Sequence, residues 1–88
     1  MATDMNKLDA RQELLIITME ECGELIQACS KIYRHGHNEK DMRSLAEEIA
    51  DVETMILLLK KTGIVDEEIV SAKKEEKVKY EKYHGKFK

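Results

Sequence analysis

Glu21 and Glu24 stand three residues apart in MEECGELIQACSKIYRHG (19–36), a stretch whose remaining residues otherwise read as an amphipathic helix. The same spacing returns at Glu48 and Asp51, in EEIADVETMILLLKK (47–61). Carboxylates at i and i+3 are neighbours on a helix surface. Two such pairs on two antiparallel helices packed face to face would therefore meet as four converging oxygen-bearing arms. An unpaired carboxylate inside an apolar stripe is costly, and several together also repel one another. Such a cluster persists where cations neutralise it. Lys31, Arg34, Lys60 and Lys61 lie toward helix ends, at least a turn from the acids. A divalent ion is then the expected neutraliser. All-oxygen ligation suits Mg²⁺, with Mn²⁺ as a substitute, and does not suit zinc.

Helical-wheel positions carry this argument. With Leu15 at zero, apolar residues of the first helix fill an arc from about 200° through zero to about 40°; Glu21 falls inside it at about 240° and Glu24 at its margin, about 180°. With Leu45 at zero, the second arc runs from about 220° to about 40°; Glu48 falls inside it at about 300° and Asp51 near its edge, at about 240°. One such pair alone reads as the solvated edge of an amphipathic helix. Two matching pairs on consecutive helices favour a shared site. Glu20, Glu47 and Glu53 point elsewhere and read as solvated charges.

Three helices must position these groups. Asp4 or Asp9 can cap the first, whose apolar residues Leu15, Met19, Cys22, Ile26, Cys29 and Tyr33 follow alternating steps of four and three. HGHN (35–38) supplies a glycine stop and then Asn38 as the next N-cap. Leu45, Ile49, Val52, Ile56 and Leu59 form the second stripe, with Lys60 and Lys61 in the last turn and Gly63 closing it. Asp66 opens a third, weaker helix through Ile69, Val70, Ala72, Val78 and Tyr80. The predicted elements run roughly over 4–34, 39–62 and 66–84 of a single domain, 1–88. The expected fold class is all-α, an antiparallel helical bundle of three main helices.

Composition narrows the function classes. The 88 residues contain no proline, few aromatics and 38% charged residues, a helical composition. A chain this short buries only about 60–65% of its unfolded surface, so its core is thin. A homo-oligomer, dimer or tetramer, is the expected means of completing it. A net charge of −3 gives no general attraction for nucleic acid. The longest apolar run is the five residues MILLL (55–59), far below a span of ~20, and no signal-peptide pattern opens the chain. No membrane association and a cytoplasmic location are expected. Cys22 and Cys29, seven apart on one helix, are too far apart to bond and read as reduced core thiols.

EECGE (20–24) followed by EEIAD (47–51) resembles the EExxE…ExxD signature of the MazG-like, all-α nucleoside triphosphate pyrophosphohydrolases. The likeness is greatest to small stand-alone phage and bacterial members. It covers roughly residues 12 to 62 and weakens across the tail. It implies Glu21, Glu24, Glu48 and Asp51 as metal ligands, with Glu20 and Glu47 behind them. It implies cleavage of a nucleoside triphosphate to monophosphate and pyrophosphate by a metal-activated water at the α-phosphorus. No nucleophilic side chain is needed, and Ser30, Ser44 and Ser71 show no base partner. Glu24, at the arc margin, is the candidate to take the water's proton. Lys74 and Lys77 of the family-like tail, with Lys31 and Arg34, are candidate phosphate contacts, although a solvated helix face is the ordinary reading of such lysines.

Three other readings compete. Phosphoribosyl-ATP pyrophosphatases share related motifs, but their aromatic and histidine after the second acid pair are replaced here by VETMI (52–56). A di-iron bundle needs Glu-x-x-His on two helices, and only Glu81 and His84 fit that spacing. His35 and His37 read as turn residues. A non-enzymatic helical interaction module, such as a small phage regulator meeting a basic partner with its acids, is the alternative outside catalysis.

Overall fold

The computed structural model describes residues 9–81. Helix α1 spans Ala10–His35, α2 spans Glu39–Lys61 and α3 spans Glu67–Glu76, followed by a 3₁₀ turn at Val78–Glu81. The chain is all-helical, with no strand among the described residues. Asp9 is the cap of α1: the Gln12 backbone N–H donates to its Oδ1 at 2.9 Å, and its own N–H donates to Gln12 Oε1 at 3.2 Å. Asp4 and the predicted first turn before residue 9 lie outside the described residues, as do residues 82–84 of the predicted third helix. That third helix is shorter than expected, its α-helical part ending at Glu76 with Lys77 as its C-cap.

The corner between α1 and α2 is tightly specified. Gly36 at φ 83° closes α1, its N–H donating to the Ile32 carbonyl at 2.8 Å. A side chain at that φ would be strained, so glycine is needed here. Asn38 then caps α2 by accepting from the Asp41 N–H at 2.8 Å, while its Nδ2 donates to Asp41 Oδ2 at 2.7 Å. Asp41 is buried and also faces His35 Nδ1 at 3.5 Å. The short connection turns α2 back antiparallel along α1, and this hairpin holds nearly all packing between elements. Helix α3 touches it lightly, with a Lys60–Glu67 ion pair at 3.5 Å.

The residues that pack between the helices differ from the predicted stripe. On α1 the covered side is Leu14, Thr18, Glu21, Leu25, Ala28 and Ile32, whereas Met19, Ile26 and Tyr33 are 65%, 69% and 90% exposed. Cys22 and Cys29 are exposed free thiols, not core residues. The reason is geometric. An apolar arc of about 200° is wider than one neighbouring helix covers, so the half centred on Leu25 meets α2 and the half centred on Ile26 meets solvent. Only Ala28 and Met55 are buried apolar residues among those described. The radius of gyration, 16.8 Å, exceeds the ~12 Å of a compact chain of this length.

Candidate functional site

The α1–α2 hairpin brings the two acid pairs together. Glu21 and Glu24 from α1, Glu48 and Asp51 from α2 each present a carboxylate oxygen, and these four atoms lie within 4.8 Å of one another. Antiparallel packing produces this directly, because equal steps from the contact line on the two helices lead to the same broad face. Glu21 and Glu48 sit close to the line and are half-buried, while Glu24 and Asp51 stand at its rim, exposed. Glu21 Oε2 and Glu48 Oε2 are shielded from solvent and receive no hydrogen bond. None of the ion pairs among the described residues reaches any of the four.

Burial, then the charge of Glu24, holds the Glu21 carboxyl above its ordinary value, with Asp51 and Glu48 adding to the shift. Burial also raises Glu48, with Glu24 the next cause and then the charges of Asp51 and Glu47. Asp41 moves the other way: the Asn38 hydrogen bond and His35 lower it against its burial. The two directions give an expected pH profile for metal-free protein. The folded chain holds protons on Glu21 and Glu48 more tightly than the unfolded chain, so stability rises as pH falls through their raised values toward 4.5. Asp41 contributes stability that is complete above 3.8 and is lost as pH falls through its lowered value. Melting in EDTA should therefore show Tm rising on mild acidification from about pH 7 and falling again below about pH 4. A monotonic fall across the whole range would contradict the crowded, cation-free quartet.

The donor set fits a hard divalent cation. Four carboxylate oxygens match its preference, and the two unsatisfied shielded oxygens are what such an ion would satisfy.

The other candidates separate. Lys31 borders a cavity of about 260 Å³ beside the acids, together with Glu24, Gln27, Ala28, Ser44, Glu47 and Glu48. Arg34 is exposed near the end of α1, its Nε donating to the Ser30 carbonyl at 3.4 Å. Lys74 instead borders a cavity with Glu53, Ile56, Leu57 and Lys60, on the side of α2 turned away from Glu48 and Asp51. Lys77 is exposed at the end of α3. The structure thus brings neither tail lysine to the acids. Gln27 and Ser44 were not anticipated as neighbours of the site; their signal was spacing, three residues after Glu24 and four before Glu48. No protein family, curated protein or solved structure matches the chain.

Proposed function

We propose that the chain is a metal-dependent nucleoside triphosphate pyrophosphohydrolase, releasing pyrophosphate and leaving a nucleoside monophosphate. The observation that carries the reading is the convergence of Glu21, Glu24, Glu48 and Asp51 on one face, reached by none of the ion pairs among the described residues, with two of their oxygens shielded and unsatisfied. Mg²⁺, or Mn²⁺ in its place, would supply charge for the triphosphate oxygens and acidify a water. Glu21 and Glu48 hold their carboxylates inward from a rigid helix pair, and Asp51 completes the set from the rim. Glu24, exposed and beside the cavity, accepts the proton of the attacking water. The water oxygen bonds to the α-phosphorus as the bond to the bridging oxygen breaks, and pyrophosphate leaves with that electron pair. Lys31 offers the nearest cation to the phosphates, and Gln27 and Ser44 offer neutral donors in the same cavity.

The proposed setting is a cytoplasmic homo-oligomer acting on free nucleotides. No helix among the described residues is long and apolar enough to cross a membrane. Incubation with a panel of NTPs and dNTPs and Mg²⁺, with pyrophosphate separated from orthophosphate, tests the reading. Pyrophosphate in equal amount to monophosphate is expected. Orthophosphate release sinks the proposal in favour of a phosphohydrolase cutting a different anhydride bond, and no turnover together with no Mg²⁺-dependent rise in Tm sinks it in favour of a non-enzymatic acidic module.

A further inference from the structure

The cavity beside the acids extends from them in one direction. Its walls are α1 residues from Glu24 to Lys31 and α2 residues from Ser44 to Glu48. Those residues follow Glu24 on α1 and precede Glu48 on the antiparallel α2, so the cavity runs from the quartet toward the α1–α2 corner. Its donors suit phosphate oxygens: the Lys31 ammonium, the Gln27 amide and the Ser44 hydroxyl. Ser44 and Glu47 also border a second cavity, of about 430 Å³, whose other walls include Lys40 and Arg43. Arg43 pairs there with Glu39 at 3.5 Å, both exposed, an interaction weak enough for a phosphate to displace.

The opposite direction has another chemistry. On the same helix strips, Ile17 and Glu20 stand four residues before Glu21 and Glu24, and Thr54 and Leu58 follow Asp51 by three and seven. Ile17 and Leu58 are exposed apolar side chains. Thr18 and Thr54 donate their hydroxyls to the Leu14 and Ala50 carbonyls at 2.7 and 2.8 Å. Neither then has a proton for a phosphate oxygen, while both oxygens can still accept. Glu20 adds negative charge. The next cations that way, Arg11 and Lys60, stand about 14–15 Å of helix beyond Glu21 and Asp51, and Lys60 is paired with Glu67.

Given the cleavage proposed above, on which this assignment rests, we infer that the substrate lies along the hairpin in a single polarity. Its leaving pyrophosphate points to the α1–α2 corner, held by Lys31, Gln27 and Ser44. Its nucleoside points to the open end, with the base laid over Ile17 and Leu58 and the Thr54 oxygen accepting from the sugar. Lys40 and Arg43 draw the pyrophosphate onward as it departs. Lys31 thereby reads the phosphates, and Ile17 and Leu58 read the nucleoside.

Each product probes one half of such a site. Calorimetric titration of the full chain in Mg²⁺ with pyrophosphate, and separately with a panel of nucleoside monophosphates, reads both halves without turnover. Lys31→Gln should weaken pyrophosphate roughly 10–100-fold and the tightest monophosphate less than about twofold. Ile17→Ala should weaken that monophosphate about 3–10-fold and leave pyrophosphate within about twofold. The polarity is overturned, and the cleavage left standing, if the wild type turns over nucleotides but Lys31→Gln weakens both products alike, or Ile17→Ala acts on pyrophosphate. Failure of either product to bind the wild type also overturns it. A wild type that neither binds nor releases pyrophosphate overturns polarity and cleavage together. Lys31 is exposed, so should Ile17→Ala not fold, the ratio of the two affinities in Lys31→Gln still decides.

Discussion

Asp51→Asn is expected to reduce pyrophosphate release by at least ~100-fold while leaving the helical circular dichroism close to that of the wild type. Outer partners of metal ligands already cost 10–100-fold on removal, and Asp51 is proposed as a ligand itself. The amide keeps the shape of the side chain and loses the anionic charge that a hard cation needs. The fold should tolerate the change readily. Asp51 is exposed, caps no helix and makes no ion pair among the described residues. Its carboxylate faces Glu21 and adds to the crowding there, which the amide would relieve. Glu53→Gln supplies the control. Glu53 is exposed on the other side of α2, beside Ile56, Leu57 and Lys60, and its loss should change release less than twofold. Equal losses in the two variants would remove the quartet from the mechanism.

Glu21→Gln should separate stability from activity at one position. Glu21 is half-buried, one of its oxygens has no donor, and the carboxylates of Glu24, Glu48 and Asp51 crowd it. In EDTA the variant should melt at the wild-type temperature or above it, because the amide removes a disfavoured charge and offers N–H donors to Glu24 and Asp51. Millimolar Mg²⁺ should raise the Tm of the wild type by linkage and raise that of the variant much less. Pyrophosphate release should fall by a factor comparable to that for Asp51→Asn. A structural role predicts the reverse pattern. If Glu21→Gln destabilises the protein and keeps the full Mg²⁺ shift, the metal-site reading fails. Melting both proteins in EDTA and in Mg²⁺ distinguishes the two in one experiment.

Much of this protein was determined locally. The caps Asp9 and Asn38, the glycine stop at Gly36 and the start of α3 at Asp66 each depend on a few adjacent residues. Local rules therefore placed the helices to within a residue or two over the described range, except where α3 gives way early to a 3₁₀ turn. The pairing of Glu21 and Glu24 with Glu48 and Asp51 was equally legible. Identical i, i+3 spacing on two helices joined by a short loop leaves antiparallel packing few other ways to arrange them.

Which half of each apolar arc would be covered was not legible. Leu14 and Leu15, or Leu25 and Ile26, are alike in hydropathy and differ only by 100° of helix rotation. The alternating four- and three-residue steps singled out the seam through Leu15, Ile26 and Tyr33. The Gly36–Asn38 corner instead sets α2 against Leu14, Leu25 and Ile32. That rotation exposes Cys22 and Cys29, leaves Met19, Ile26 and Tyr33 more than half exposed, and sends Lys74 to the side of α2 away from the acids. A helix's own sequence records how much of its surface is apolar. Its neighbours decide which part is buried, because one helix covers only a limited sector of another.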